Sequence, residues 1–248
     1  MKPLWRWLVL LVAALLGLQL FFAARIGLMA VVNPQSSAFE RSEAWRLALD
    51  NGTARWRQQW VDYDDISDHL KRAVIASEDD GFLFHDGVEW DALEKAWERN
   101  AKTQSMLDTR EQAREQTRKK PLGRVPKIIG GSTITQQLAK NLFLSGERTF
   151  LRKGQEFLLT GMLELMLSKE RILEIYLNNV EWGEGIFGAE AASQAYFKKP
   201  AAKLAPIEAA RLAVMLPRPK YFEKLPNSPY VAARAAAIAG RMSSAELP

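Results

Sequence analysis

The chain has 248 residues, 48% of them hydrophobic and 25% charged, and its formal net charge is +5. This composition predicts a folded protein of one large domain or two small ones and excludes a chain that is disordered throughout. It has no cysteine and only two histidines, His69 and His85, which excludes disulfides, thiolate chemistry and a zinc site built on several histidines.

The first predicted element is a membrane-spanning helix at residues 7–24. Among these 18 positions only Trp7 and Gln19 carry hydrogen-bonding side chains. As a helix they would span about 27 Å, close to the thickness of the hydrocarbon core of a bilayer. The alternative is a cleaved signal peptide, since Ala23 and Ala24 are small, but its apolar region is normally about 7 to 15 residues long. We therefore predict an uncleaved anchor.

The basic residues around this helix predict its orientation. Lys2 and Arg6 precede it, whereas Arg25 alone follows it closely, and this bias places the N-terminus in the cytoplasm. The remaining chain then lies across the membrane. The predicted organisation is a cytoplasmic N-terminus at 1–6, the spanning helix at 7–24, a linker and membrane-proximal segment at 25–58, and one domain at 59–248.

Helical patterns dominate the rest of the chain and no segment is a confident strand, so we predict an all-α domain. A stretch around Trp45, Trp56 and Trp60 is compatible with a helix in which most of the tryptophans are packing residues. The next helix starts at a cap within residues 64–67 and ends near Glu78, where the helix dipole disfavours a carboxylate. Further helices are predicted at residues 90–99, 150–167, 188–197, 206–215 and 229–241, together with one capped by Ser168.

Residues 130–141, with the sequence GGSTITQQLAKN, predict a loop that leads into a helix. Thr133 and Gln136 form the pattern of a capping box. Unpaired backbone N–H groups and three hydroxyl side chains would meet at the start of this helix, which suits an anion or a sugar, and Lys140 adds a positive charge. An ordinary, well-capped helix is the alternative that the spacing alone leaves open.

Two charged segments offer candidate catalytic groups. Residues 78–87 gather several acids and His85, although these side chains could also simply close a turn. Arg152 and Glu156, four residues apart, form either a surface ion pair worth roughly a few tenths of a kcal/mol or part of a site. Glu78 and Glu156 would be the two carboxylates that glycosyl chemistry uses, one of them able to deprotonate an attacking hydroxyl.

Two other patterns have less specific meanings. Residues 99–127 contain nine basic and three acidic residues, a local charge of +6 that leaves −1 for the rest of the chain. Such a cluster could face nucleic acid, anionic headgroups, a polyanionic substrate or only solvent. The sequence GEGIFG at 183–188 matches the dinucleotide-binding fingerprint but lies between helical patterns, and Glu208 falls inside a predicted helix, so we reject a nucleotide site there.

Five segments form an ordered set of motifs: EDDGFLFHDG at 78–87, GGSTITQQLAKN at 130–141, RKGQE at 152–156, KERILEIYLN at 169–178 and GEGIFGAEAASQAYF at 183–197. In this order and arrangement the chain resembles the peptidoglycan glycosyltransferases, glycosyltransferase family 51, over roughly residues 59–221. Five ordered motifs are more specific than any one of them alone. The chain has no Ser-x-x-Lys or Lys-Thr-Gly motif of an attached penicillin-binding transpeptidase domain.

The resemblance implies a lysozyme-like, two-lobed domain that polymerises lipid II at the periplasmic face of the bacterial inner membrane. It implies that Glu78 deprotonates the acceptor 4-hydroxyl, which attacks the anomeric carbon of the donor strand. A β-1,4 bond then forms with inversion, and undecaprenyl pyrophosphate leaves. Glu156 matches the second glutamate of the family, which would orient groups around the pyrophosphate or assist its departure. Lys140, Arg152 and Lys153 match donor-site cations, placed where negative charge develops.

The resemblance also assigns the remaining motif residues. No metal ligand is implied and no cofactor is required, although Mg²⁺ or Mn²⁺ could assist the pyrophosphate. The implied partners are lipid II, the growing glycan strand, membrane lipids and other cell-wall synthesis or division proteins, and no nucleic acid. Substrate contacts are implied for Ser132, Thr133, Thr135, Gln136, Gln137 and Asn141, and structural roles for Asp79, Phe82, His85, Gly87, Gly130 and Gly131.

The chain departs from the family pattern at two places. The family's connection between its first two motifs is short and rather apolar, whereas residues 100–127 are long and basic, and we hypothesise that they bind anionic headgroups or the lipid II pyrophosphate. Gly154 is atypical within the third motif and costs about 1 kcal/mol relative to alanine in a helix. The alternatives are a membrane-anchored glycan hydrolase of the same superfold, which has no use for pyrophosphate-binding cations, and a non-enzymatic scaffold that binds anionic polymers.

Overall fold

The computed structural model of the chain describes residues 3–51, 56–91, 94, 98, 106, 131–144 and 149–248. The predicted basic segment at 99–127, Gly130 and most of the predicted helix at 90–99 lie outside these residues. The elements in chain order are α1 (Pro3–Leu28), α2 (Ala38–Asn51), β1 (Arg57–Gln58), α3 (Asp68–Glu78), α4 (Ile134–Phe143), α5 (Phe150–Met166), α6 (Lys169–Asn179), β2 (Glu181–Gly183), β3 (Ile186–Phe187), α7 (Ala189–Phe197), α8 (Pro206–Met215), α9 (Pro219–Phe222) and α10 (Pro229–Ala239).

Several helices begin at caps that the sequence predicts. Thr133 and Gln136 form the capping box of α4, with both reciprocal hydrogen bonds present. Ser168 caps α6 and Ser228 caps α10, each by accepting a backbone N–H three residues further along the chain. Because such caps satisfy the first unpaired N–H groups of a helix locally, the residues themselves fix where the helix starts.

The helices pack in two groups around one apolar core. In the first group α8 packs against α3 and α10, and in the second α4 packs against α5 and α6. The interior contains large, completely buried side chains, among them Trp182, Tyr176 and Phe82. This predominantly helical arrangement confirms the predicted all-α class, and it places the end of α3 beside the start of α4.

A small sheet shows that the prediction of no strands was wrong. Its strands lie in the order β1-β3-β2, with β1 parallel and β2 antiparallel to β3. Each strand has two or three residues, too few for an alternating pattern to be visible in the sequence. The GEGIFG segment forms the β2–β3 hairpin and the start of α7. At Gly188, φ is +83° and a Cβ atom would lie 2.7 Å from the carbonyl oxygen of Asn178, so glycine is required there by packing.

The tryptophans near β1 also differ from the prediction. Trp56 lies outside any helix and stacks on Phe187, with ring centroids 4.5 Å apart. Trp60, also outside a helix, is partly buried against the core, whereas Trp45 on α2 is 69% exposed. The sheet therefore interrupts the helix that the apolar pattern suggested, whereas two of these three tryptophans are packing residues, as predicted for most of them.

The first helix is longer than the predicted span at 7–24. Its segment Leu4–Leu28 is long and apolar enough to cross a membrane, with a mean hydropathy of 2.4. The C-terminal end of α1 also belongs to the folded domain, because Ile26 on the helix and Met29 directly after it are buried in the core. Gln19 and Gln155 exchange two side-chain hydrogen bonds of 3.0 and 3.1 Å, which fix α1 against α5.

Replacing Gly154 with alanine is expected to raise the free energy of unfolding by about 0.4–1 kcal/mol. Gly154 lies inside α5, and a Cβ atom there would have no heavy atom within 4 Å, so alanine lowers the entropy of the unfolded chain without a clash. Thermal unfolding followed by circular dichroism in detergent measures the change. The control is Gly188→Ala, which should lower the midpoint, and an unchanged or lower midpoint for Gly154→Ala would contradict the prediction.

Candidate active site

Glu78 is the last residue of α3, and its carboxylate points to α4. Its Oε2 atom accepts a hydrogen bond of 3.0 Å from the side-chain amide of Gln137. Burial raises the pKa of Glu78; the hydrogen bond from Gln137 opposes this rise and the charge of Asp79 adds to it. A half-buried carboxylate with a raised pKa is suited to accepting a proton near neutral pH.

A tyrosine fixes the orientation of Gln137. The hydroxyl of Tyr176, on α6, donates a hydrogen bond of 3.1 Å to Oε1 of Gln137, so the amide group presents its NH₂ to Glu78. Burial raises the pKa of Tyr176 well above its ordinary value, which keeps the phenol protonated as the donor. The sequence analysis assigned no role to Tyr176, although it lies within the fourth motif.

Asp79 joins the end of α3 to the start of α4. Its Oδ2 atom accepts a hydrogen bond of 2.9 Å from the backbone N–H of Ile134, and its Oδ1 atom lies 2.7 Å from Nε2 of His85. Since Nδ1 of His85 accepts from the backbone N–H of Gly87 at 3.1 Å, the proton of the neutral imidazole lies on Nε2. These contacts hold the loop after Glu78 against α4, and Phe82 in the same loop is completely buried.

The hydroxyls predicted to bind substrate mostly face the protein interior. Thr133 donates to the carbonyl oxygen of Gly87 and Thr135 donates to Glu164, each at 2.6 Å. The side chain of Gln136 is used in the capping box, and all three residues are buried. In this structure the side chains of Thr133, Thr135 and Gln136 therefore make contacts within the protein, and their predicted substrate contacts stay a prediction.

The accessible residues of this motif are fewer than predicted. Ser132 is exposed, and Gly131 and Gln137 are half-buried. Asn141 is buried, with 9% of its surface exposed, and its side chain makes no hydrogen bond within the described residues. The exposed part of the motif therefore lies along one side of α4.

Two charged residues that the sequence analysis did not select tie this region together. Lys169, at the start of α6, donates a hydrogen bond of 2.6 Å to the carbonyl oxygen of His85 and one of 2.9 Å to Glu164 on α5. Glu164 also receives the hydroxyl of Thr135. The available signal was that Glu164 interrupts an apolar helical run and Lys169 lies inside a motif. Both residues stabilise the loop that follows Glu78.

Glu156 and two cations form an ion cluster on α5. Glu156 is only 3% exposed, lies 2.8 Å from Nη1 of Arg152 and also pairs with Lys153. This burial excludes the alternative of a surface ion pair, and removing one member of a buried pair is strongly destabilising. The Nε atom of Arg152 is buried and has no acceptor in the part of the chain that the structure describes, which leaves a donor for a ligand.

Lys140 lies near this cluster but pairs with no carboxylate among the described residues. Desolvation lowers the pKa of Lys140; Glu156 opposes this effect, whereas Arg152 and Lys153 add to it. Three positive charges against one negative charge leave the cluster at +2. Such a site favours an anion, and among the described residues the ammonium group of Lys140 has no carboxylate partner that would compete with this anion.

Helix α4 connects Glu78 to the cations. Gln137, which contacts Glu78, and Lys140 are three residues apart, so they share one side of the helix with Cβ atoms about 5–6 Å apart. A ligand along this side would meet Glu78 at one end and the positive cluster at the other. The described residues contain no group of three His, Asp or Glu side chains suited to a metal ion.

Comparison with known proteins agrees with this geometry. The family model described as "Transglycosylase" matches residues 47–243. The "Biosynthetic peptidoglycan transglycosylase" of Burkholderia orbicola (strain MC0-3) is 52% identical over 235 residues, which cover 95% of this chain and 87% of that protein. The proteins of the same name from Burkholderia thailandensis and Paraburkholderia xenovorans are 51% and 50% identical over 247 residues, 98% of this chain and 88% and 94% of their own lengths.

Proposed function

The chain belongs to the transglycosylase family and is a peptidoglycan glycosyltransferase of cell-wall synthesis with a lysozyme-like domain, and from this premise we propose that Glu78 is its general base. Its substrates are lipid II and the growing glycan strand. The observation that supports the role of Glu78 is its half-buried carboxylate, held by Gln137 and with a raised pKa.

The proposed reaction proceeds in one displacement. The 4-hydroxyl of the acceptor gives its proton to Glu78 while its oxygen attacks the anomeric carbon of the donor strand. The bond from this carbon to the pyrophosphate oxygen breaks, and the electron pair leaves with undecaprenyl pyrophosphate. Because attack and departure occur on opposite faces of the sugar, the new β-1,4 bond forms with inversion.

The cation cluster stabilises the departing pyrophosphate in this proposal. Lys140 and Arg152 meet the negative charge that develops on the leaving group, and Lys153 adds to the positive field. Glu156 holds Arg152 and Lys153 in position, so it acts on the leaving group through them. This arrangement needs no cofactor, and a Mg²⁺ or Mn²⁺ ion would bind through the pyrophosphate oxygens.

We therefore expect lipid II polymerisation to remain measurable after divalent ions are removed with EDTA.

We further propose that α1 crosses the bacterial inner membrane once, with its N-terminus in the cytoplasm and the domain in the periplasm. The contact between Gln19 and Gln155 places α5 beside the proposed membrane span of α1, near the end of the span that joins the domain. On this helix Phe150 and Leu151 are 99% and 88% exposed, as expected for side chains in contact with lipid. Membrane lipids are therefore proposed partners, and contacts with other cell-wall synthesis or division proteins stay a prediction.

Incubation of the purified full-length protein with lipid II tests the proposed reaction. Formation of long glycan strands, with release of undecaprenyl pyrophosphate, supports it, and the configuration of the new bond is read by nuclear magnetic resonance. Shortening of preformed glycan without polymerisation would instead support the hydrolase alternative. Binding of glycan or lipid II with no turnover would support the scaffold alternative.

Replacing Gln137 with leucine is expected to move the acidic limb of the pH–rate profile to higher pH. The hydrogen bond from Gln137 lowers the pKa of Glu78, whereas burial and Asp79 raise it, so losing the bond raises this pKa further. Only the deprotonated carboxylate is a base, and activity is therefore lost at acidic pH and recovered at alkaline pH.

The profile is measured as the initial rate of lipid II polymerisation across the acidic and neutral range. Gln194→Leu is the control. It removes the hydrogen bond of 2.9 Å that the side-chain amide of Gln194 donates to Glu190, a glutamate away from Glu78. An acidic limb that coincides with that of the unmodified protein would contradict the role given to Gln137.

A further inference from the structure

A small pocket lies where α1 ends and the chain turns toward α2. Its volume is about 200 Å³, and its lining includes Arg25, Leu28, Val32, Ser36 and Arg41. The two arginines belong to different helices but face the same space. None of these residues takes part in the candidate active site, whose cations come from α4 and α5.

No carboxylate of the described residues forms an ion pair with either arginine. Arg25 and Arg41 both lie beyond ion-pair distance of these carboxylates, and their two charges repel each other. Glu40 precedes Arg41 and interacts with its charge, but its two oxygens accept from the backbone N–H of Ser37 and the amide of Gln58. Among the described residues, the pocket therefore carries two positive charges without an ion-pair partner.

Uncharged contacts hold both guanidinium groups in place. Arg25 lies over the ring of Phe143, 5.1 Å from its centroid. Arg41 donates 3.1 Å to the carbonyl oxygen and 3.0 Å to the hydroxyl of Ser36. Because these contacts orient the side chains without cancelling their charge, the remaining donors are free for an anion.

The position of the pocket along α1 identifies the source of this anion. From Leu4 to Arg25 the helix rises about 32 Å, slightly more than the thickness of the hydrocarbon core. Trp5 and Trp7 are exposed at the other end, as expected for side chains at one membrane interface. Arg25 therefore lies at the opposite interface, at the depth of the lipid phosphates.

We propose that this pocket, named the Arg25–Arg41 pocket, binds the phosphodiester of an anionic glycerophospholipid from the leaflet next to the domain. Two guanidinium groups match phosphate oxygens, and the exposed Phe21, one turn before Arg25 on the membrane side of the pocket, offers apolar surface to the acyl chains. The pocket is smaller than the roughly 300–1,000 Å³ of sites that enclose drug-sized ligands, so it fits a phosphate with its glycerol rather than a disaccharide. This inference rests on the proposed membrane crossing of α1 and not on the roles proposed for Glu78 and Lys140.

The test compares phosphatidylglycerol binding by the full-length protein and its variants. Protein in nanodiscs of phosphatidylcholine and phosphatidylglycerol is released in a native mass spectrometer, and the retained phosphatidylglycerol is counted. Arg25→Gln with Arg41→Gln is expected to weaken retention about a hundredfold, about tenfold for each lost charged hydrogen-bonding group. The control double variant, Arg234→Gln with Arg241→Gln, removes the same charge from exposed positions at the other end of the chain and should retain the lipid.

Further arms keep the result interpretable. Circular dichroism establishes that each variant is folded, and Arg25→Lys with Arg41→Lys, which keeps the charges but loses the planar donors, should retain an intermediate amount. Equal retention by the pocket variant and the control would overturn the proposal. It would also be overturned if lipid II, but not phosphatidylglycerol, were bound through these arginines. The rate of lipid II polymerisation by the pocket variant in detergent should remain within about twofold of that of the unmodified protein. The test of lipid binding can therefore fail without contradicting the proposed reaction.

Discussion

Replacing Glu78 with glutamine is expected to lower the rate of lipid II polymerisation about 100- to 10,000-fold, the usual contribution of a general base. Glutamine keeps the size of the side chain and can still contact Gln137, but it cannot take the proton of the acceptor hydroxyl. The half-buried position of Glu78 at the end of α3 carries no ion pair in the described structure, so the fold should persist. Strand formation from labelled lipid II measures the rate.

Asp80→Asn is the matched control for this variant. Asp80 is exposed and lies two residues beyond Glu78, so the change removes a nearby negative charge without touching the base. Its rate should stay within about twofold of the unmodified protein. If Glu78→Gln retained a tenth or more of the normal rate with an intact circular dichroism spectrum, Glu78 would not be the base.

Replacing Lys140 with glutamine is expected to lower kcat about 100- to 1,000-fold, with a smaller change in KM. Lys140 has no carboxylate partner among the described residues, so its charge is available when negative charge develops on the pyrophosphate. An interaction that strengthens in the transition state affects kcat more than ground-state binding. Steady-state kinetics with lipid II separates the two constants.

The control for Lys140 is another exposed lysine. Lys203→Gln removes the same charge on a short helical turn between α7 and α8 and should leave kcat unchanged. Lys140→Arg keeps the charge and should recover part of the loss. A rise in KM with kcat unchanged would show that Lys140 only helps to hold the donor, which would contradict its role at the leaving group.

Sequence reasoning succeeded where local interactions decide the structure. The capping box at Thr133 and the cap at Ser168 depend on residues three positions apart, so the helix starts could be predicted without knowing the fold. Glu78 was placed near a helix end for the same reason, since the caps and the apolar pattern of α3 fix its length. The family motifs then supplied the chemistry that spacing alone left open.

Sequence reasoning failed where contacts between residues far apart in the chain decide the structure. The hydroxyl of Thr135 turns inward because Glu164, on another helix, accepts its hydrogen bond, and nothing within the motif indicates this partner. The role of Tyr176 depends on Gln137, 39 positions earlier in the chain. Likewise, Trp56 packs on Phe187 of a strand that is only two residues long, too short to recognise in the sequence.

The junction between α1 and the domain has a consequence for how the enzyme meets its substrate. Ile26 and Met29 lie in the core and Gln19 pairs with Gln155. Helix α1 is therefore fixed to the domain and does not act as a flexible tether. With α1 crossing the membrane as proposed, the protein diffuses in the plane of the bilayer while its height and its orientation relative to the membrane stay constant. The search for a lipid-linked donor is then two-dimensional, and each encounter begins with the cleft already oriented. A new strand would leave the enzyme at one fixed distance above the lipid surface.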